Sequence, residues 1–285
     1  MKTVSPLRYP GGKASMADLL GRIRRLNNLG NRPIVEPFAG GAGASLALLY
    51  LEETPEIQIN DADQAIHALW WSLTNRSEEF AAMLRSTRVS MAEWYRQRTI
   101  YRSSKRAARL RRGFAAFYLN RCNRSGIIMD GGPIGGIEQK GEWLINARFN
   151  KVELLERCRK VADYKSRISV SNLDGIELIR SLDPQNTFFF IDPPYYAKGK
   201  TLYLNALDDD YHRNLAEELK VRADQAWVLT YDDCPEIRAL YRGWATVRPF
   251  GLRYAASVRR SGREILIAPK HLKMPSSQSS QAIAW

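Results

Sequence analysis

Asp192-Pro193-Pro194-Tyr195, directly after the apolar run Phe188-Phe189-Phe190-Ile191, brings together groups whose types and spacing could do chemistry. The run follows the turn-like Asp183-Pro184-Gln185-Asn186 and reads as a short strand buried on both faces, as in the middle of a parallel sheet. Two prolines fix φ and supply no N–H, so the strand stops and its carbonyls are free for something other than a ladder. In open α/β sheets, ligands bind just beyond the carboxyl ends of strands. A carboxylate, outward carbonyls and the phenol rings of Tyr195 and Tyr196 therefore stand where a substrate would. They suit methylation of a planar exocyclic amine such as adenine N6, a poor nucleophile because its lone pair is delocalised into the ring. Asp192 and the Pro193 carbonyl could each accept one N–H, aiming the lone pair at a methyl donor, with Tyr195 stacked on the base. The plainer reading, a strand-ending turn with an exposed aspartate, is decided by the rest of the chain.

Three more groups bear on it. Pro10-Gly11-Gly12-Lys13 is a glycine turn that places a lysine at a helix start, within reach of a carboxylate or a nucleotide. Glu36-Pro37-Phe38-Ala39-Gly40-Gly41-Ala42-Gly43 links a strand to a helix, and its glycines allow close approach of backbone to a ligand. Asp61 follows that loop by about 20 residues, where an acid takes ribose hydroxyls. A nicotinamide site is the rival, but Leu46 stands where the third glycine of that fingerprint belongs. Asp174 is another acid at a strand end.

The elements that must position these groups alternate. The pattern predicts a helix over 16–26, strand 33–36, helix 46–51 and strand 57–60. After an interruption it predicts strand 168–170, a helix through Leu178, strand 188–191, helix 211–221, strand 227–231 and a last strand pair, 246–250 and 264–268. This is an α/β chain, with 1–72 and 161–272 as one discontinuous domain. Residues 73–160 form a mainly helical insertion, and 273–285 a disordered Ser/Gln-rich tail. In the insertion, Leu110, Phe114, Phe117 and Tyr118 recur as one apolar face, and Asn150 with Glu153 resembles a capping box.

A net charge of +13 on 285 residues has no folding rationale and points to a polyanion. Residues 73–160 hold 19 Lys and Arg against 8 Asp and Glu, so +11 of the surplus lies there. Arg109 and Arg112 fall opposite the apolar face. Asn120, Arg121, Asn123 and Arg124 precede the glycine-rich stretch 130–136 and offer the amides and guanidinium forks that read base edges and phosphates. The basic stretch 253–263 is either a hairpin tip or a flap near the polyanion. Three separated cysteines and three histidines show no metal-ligand spacing and no disulfide framework, so no metal and a reducing compartment are expected. No signal-peptide pattern or membrane-length apolar run is present, so a cytoplasmic protein without a membrane partner is expected.

In this order along the chain, the motifs resemble those of the Dam-type DNA adenine-N6 methyltransferases: Pro10 to Lys13, Glu36 to Gly41, Asp61 in Asn60-Asp61-Ala62-Asp63, an inserted recognition region, Asp174, and Asp192 to Tyr195. The resemblance spans about residues 6–268. It implies a Rossmann-like sheet with a reversed final strand, and S-adenosylmethionine as methyl donor, with S-adenosylhomocysteine as product. The donor would be held by Tyr9, Lys13, Glu36, Pro37, Phe38, Gly40, Gly41, Gly43, Asp61 and Asp174, with Asp192 near its methionine end. Asp192, Pro193, Pro194 and Tyr195 would form the catalytic pocket for an adenine flipped out of double-stranded DNA. Asn120, Arg121, Asn123, Arg124, Arg109 and Arg112 are the candidate DNA contacts. A monomer acting on DNA in a bacterial or phage-infected cell is expected. Enzymes acting on cytosine N4, RNA adenine or protein glutamine generally resemble Ser-Pro-Pro-Tyr, Asn-Pro-Pro-Phe or Asn-Pro-Pro-Tyr, so the aspartate favours adenine in DNA. A non-catalytic DNA-binding protein would show erosion of the loop or of Asp192, and neither is eroded.

Overall fold

The computed structural model describes residues 4–8, 13–103, 108–196, 207–250 and 264–275. Tyr9 and the glycine turn 10–12, the basic stretch 253–263 and the tail from 276 lie outside them. The strands in chain order are β1 Ile34–Glu36, β2 Ile57–Asn60, β3 Ile168–Ser171, β4 Phe188–Ile191, β5 Trp227–Asp232, β6 Ala245–Phe250 and β7 Glu264–Pro269. Among the described residues they form one sheet in the order β3-β2-β1-β4-β5-β7-β6. β1 to β5 pair in parallel, whereas β7 runs antiparallel to β5 and β6. This is the open α/β sheet with a reversed final strand that the alternating pattern and the resemblance lead one to expect.

β4 lies between β1 and β5, and its four residues are buried because both faces of the sheet are covered. The pleat sends Phe188 and Phe190 into one apolar cluster and Phe189 and Ile191 into the other. Each of these side chains contributes about 1.5–3 kcal/mol by leaving water, so the segment before Asp192 is firmly anchored.

The helices are α1 Ala17–Leu26, α2 Gly43–Tyr50, α3 Gln64–Asn75, α4 Ser77–Ser86, α5 Met91–Arg102, α6 Arg109–Cys122, α7 Lys151–Asp163, α8 Gly175–Ser181, then α9 Asp209–Val221 and α10 Pro235–Tyr241. The last three cover the face bearing Phe189, through Ile176, Ile179, Leu215, Leu219, Ile237 and Tyr241. The short α10 has no sequence period long enough to announce it. The remaining helices supply the cluster that takes up Phe188 and Phe190, to which α6 contributes Phe114, Phe117 and Tyr118.

α6 departs from the one-sided helix expected of it. From Gly113 to Cys122 every residue is buried, including Asn120 and Arg121. A Cβ on Gly113 would stand 2.5 Å from the Ala68 carbonyl oxygen, so α6 and α3 cross with their backbones in contact. Only the start of α6 keeps the basic face: Arg109 lies over the Trp71 ring at 4.5 Å and Arg112 donates to Gln64 Oε1 at 3.1 Å. Asn150 caps α7 by accepting from the Val152 and Glu153 amides, while the Glu153 side chain turns to Arg157. No helix among the described residues is long and apolar enough to cross a membrane.

Candidate functional site

The parallel strands present their carboxyl ends at one edge of the sheet, and the reversed β7 begins there. Asp192 follows β4 at that edge, and Asp232, the last residue of β5, pairs with Glu264, the first of β7. Lys13 reaches into this group from the start of the N-terminal helical segment. Its Nζ donates to the Tyr195 hydroxyl at 2.6 Å, lies 3.3 Å from Asp192 Oδ1 and 3.7 Å from Glu264 Oε2, and stands 4.9 Å from the Tyr195 ring centre. The lysine is almost fully buried, whereas the Asp192 side chain keeps 24% of its surface exposed. An ammonium buried among carboxylates braces them, and the aspartate still faces outward. The Thr230 hydroxyl donates to the same Asp192 Oδ1 at 2.5 Å. Tyr195 packs its ring near Tyr231, centroids 6.4 Å apart, and the Tyr196 amide donates to Asp232 Oδ1 at 3.1 Å. Asp192 and Tyr195 from one motif and Lys13 from another thus meet in one cluster.

The glycine loop forms a second group beside it. Gly40 and Ala42 both adopt left-handed backbone, at φ 46° each, which turns the chain sharply into α2. A Cβ on Gly43 would press on the Ala14 amide nitrogen at 3.2 Å, so the loop and the residue after Lys13 are in contact. Asp61, just past β2, accepts the Gly40 amide on Oδ2 and the Asp63 amide on Oδ1, each at 2.9 Å. Trp70 on α3 donates its indole N–H to the Gly40 carbonyl at 2.9 Å. Asn60 donates to the Pro37 and Leu173 carbonyls and accepts from the Leu173 amide and the Ser171 hydroxyl, knitting the ends of β1, β2 and β3. Phe38, half-buried, presents its ring to Tyr211 at 6.3 Å and fills the space that Gly175 leaves by lacking a Cβ. Asp174 caps α8 by accepting the Ile176 and Glu177 amides, and its other oxygen accepts the Tyr211 hydroxyl at 2.7 Å.

Two of these acids are held unusually protonated. Burial pushes the Asp61 carboxyl up to about 7, with the charge of Asp63 adding to it against the two amide hydrogen bonds. Burial likewise pushes Glu36 up to about 7. The Glu36 Oε1 accepts the Ser45 amide at 2.8 Å and the Ser45 hydroxyl, which ties β1 to the first turn of α2.

The residues proposed to meet DNA divide into two sets. Asn120 is fully buried: its Oδ1 accepts the Arg8 amide at 2.7 Å, and its Nδ2 donates to the Arg8 and Gly126 carbonyls at 2.7 and 2.8 Å. Asn123 accepts from the Trp94 indole and donates to the Ile127 and Ile128 carbonyls. Arg121 donates through Nε and a terminal nitrogen to the Arg148 carbonyl at 2.9 and 2.5 Å, and burial beside Arg157 and Arg8 lowers its pKa. All three are occupied inside the fold. Arg124 is exposed beside Gly132, and Arg109 and Arg112 line the start of α6. Sequence reasoning missed Thr230, Glu264, Tyr211 and Trp70. The usable signal was Thr230, a lone small polar residue in an apolar strand, and Glu264, an acid opening another.

Comparison with known proteins adds the following. A family model described as D12 class N6 adenine-specific DNA methyltransferase matches residues 9–254. No curated protein matches the sequence. Among solved structures, a candidate RNA methyltransferase from Pyrococcus horikoshii is similar at 10% identity and a TM-score of 0.39, covering 92% of this chain and 87% of that one. The rRNA methyltransferase AviRa from Streptomyces viridochromogenes is similar at 12% identity and a TM-score of 0.33, covering 86% and 84%.

Proposed function

The chain belongs to the D12 class N6 adenine-specific DNA methyltransferase family, and from that footing we propose which of its residues hold the methyl donor, the adenine and the duplex. The donor is S-adenosylmethionine, which supplies an electrophilic sulfonium methyl when bound. The residues fit it. The loop from Phe38 to Gly43 has left-handed turns that bare its backbone, and Asp61 remains partly exposed at the end of β2 with acceptor capacity beyond its two amide bonds. We assign ribose hydroxyls to Asp61, the adenosyl ring to the space near Phe38 and Asp174, and the methionine end to the neighbourhood of Lys13 and Asp192. No metal takes part in this reading.

The target adenine, flipped from the helix, enters beside Tyr195, and its N6 hydrogens go to Asp192 and the Pro193 carbonyl. The observation that carries this is the Asp192 carboxylate, anchored by Lys13 and Thr230 yet open on one side. Incubating the protein with labelled donor and DNA, then separating the nucleosides, tests it: the label should appear as N6-methyladenine, and label in cytosine, or none, would overturn the assignment.

Donor binding should depend on pH. Asp61 and Glu36 hold protons up to about 7 in the folded, ligand-free protein but ionise near about 4 when unfolded. Their contribution to stability is therefore complete at acid pH and is lost as pH rises through about 7. Ribose hydroxyls donate to ionised Asp61, so affinity for S-adenosylhomocysteine should rise between about pH 6 and about pH 8, with proton release on binding at the lower end. Calorimetry in buffers of different ionisation enthalpy reads both. Flat affinity with no proton release would remove Asp61 from the ribose site.

Residues 73–160 form the DNA face in this reading, with the protein acting in the cytoplasm as a monomer on duplex DNA. Asn120, Arg121 and Asn123 shape the loop, and Arg124 is the arginine placed to read bases. Arg124→Ala should relax discrimination between target and scrambled duplexes by about 1–3 kcal/mol. Arg109→Ala and Arg112→Ala should instead weaken all sequences alike and flatten the log-log salt slope by about 0.9 per lost phosphate contact. Titrations at several salt concentrations would show it; equal loss on both duplexes for Arg124→Ala would make that residue a phosphate contact.

A further inference from the structure

Thr230 sits near the end of β5, where Trp227, Val228 and Leu229 are buried and apolar and Tyr231 is buried with its hydroxyl against His212 Nδ1. β4 and β5 pair in parallel with Ile191 opposite Leu229. One step further along that register brings Thr230 beside Asp192, and its fully buried hydroxyl donates to Asp192 Oδ1 at 2.5 Å. The site is shaped like one for valine, so packing alone gives no reason for a hydroxyl there. Lys13 Nζ approaches the same oxygen, at 3.3 Å. Among the described residues no hydrogen bond ends on Oδ2, and the one that Asp192 accepts falls on Oδ1.

We propose that Thr230 is a positioning residue of methyl transfer: by donating to Oδ1 alongside Lys13, it dedicates Oδ2 of Asp192 to the N6 amine. This rests on the reading that Asp192 receives that amine. A carboxylate has two equivalent oxygens and turns easily about χ2. Were it held by the lysine alone, either oxygen could serve either partner, and the amine would meet an acceptor of variable direction. A hydrogen bond from the neighbouring strand and an ammonium from the N-terminal segment, both on one oxygen, fix the plane of the carboxylate before substrate arrives. The gain belongs to the transition state, where the amine lone pair must point at the methyl group, and not to donor or DNA binding.

The test compares Thr230→Val, which keeps the shape, with Thr230→Ser, which keeps the hydroxyl. Single-turnover methyl transfer should slow by about tenfold to a hundredfold in the valine variant, with the Kd for S-adenosylhomocysteine, KM for DNA and Tm close to wild type. Serine should restore the rate to within about threefold. Should the valine variant fail to fold, Thr230→Ala carries the same comparison against serine. A wild-type rate in the variant lacking the hydroxyl, or a serine variant as slow as it, overturns the proposal. Asp192→Ala, run alongside, separates the two levels: activity surviving in it removes Asp192 from the reaction and the inference with it. An inactive Asp192→Ala beside a fully active Thr230→Val removes Thr230 alone.

Discussion

Replacing Asp192 by alanine is expected to lower the rate of methyl transfer by about a thousandfold or more while the protein stays folded and still binds S-adenosylhomocysteine. The side chain lies beyond the buried strand and remains partly exposed, so its removal takes little from either apolar cluster. Lys13 is not stranded by the change, because its ammonium keeps the Tyr195 hydroxyl and the nearby Glu264 carboxylate. Thr230 loses an acceptor, which costs about 1–3 kcal/mol of stability at most. What disappears is the acceptor proposed for the amine, and with it the control of nitrogen geometry. Single-turnover rates with labelled donor, a thermal melt and product titration measure the three quantities separately. Transfer within a few-fold of wild type would transfer the role to the Pro193 carbonyl and Tyr195.

Asn120→Ala is expected to be the most destabilising of the changes considered, by about 3 kcal/mol or more. It leaves the partly buried Arg8 amide and carbonyl and the buried Gly126 carbonyl without their partner at about 1–3 kcal/mol each. For a chain of this size that corresponds to a fall in Tm of about 5–10 °C. The same variant discriminates between the two readings of the residue. A base-contacting asparagine would lose target affinity with Tm unchanged, whereas an internal clasp loses Tm first and DNA discrimination only as the loop loosens. An unaltered melt with reduced affinity for target duplex would return Asn120 to the DNA surface.

The contrast between Asp192 and Asn120 shows what a linear sequence conveys. Strand periods and abrupt stops are local, so β2, β4 and the residues after them were legible, as was the strand pair at the end of the chain, whose reversed final strand came from the family resemblance. Lys13 and Asp192 stood out because glycines or prolines punctuate their neighbourhoods, and Asp61 because of its spacing from the glycine loop. Asn120, Arg121 and Asn123 looked like a solvated recognition stretch because their partners are remote: Arg8 lies more than a hundred residues earlier, and Trp94 is on another helix. Period reasoning assigns a polar residue to water unless an apolar face excludes it, and α6 is wrapped by elements whose packing no window contains. Thr230 carried only a faint signal as a small polar residue among apolar ones, and its meaning came only when the register placed it beside a carboxylate.

The clasp between residues 4–8 and the end of α6 bears on how new target sequences can arise in such enzymes. Gly126 has φ 78° and no room for a Cβ against the Arg8 carbonyl, and Arg8 also donates to the Asn123 carbonyl. The conformation of the loop after α6 is therefore inherited jointly from two separated stretches of the gene. A chimera that exchanges 73–160 alone between relatives would combine a loop from one parent with a leader fitted to the other. If residues 73–160 form the DNA face proposed above, exchange is freer when the codons for residues 4–8 travel with the central block, and recombination that shuffles specificity should favour crossovers preserving both.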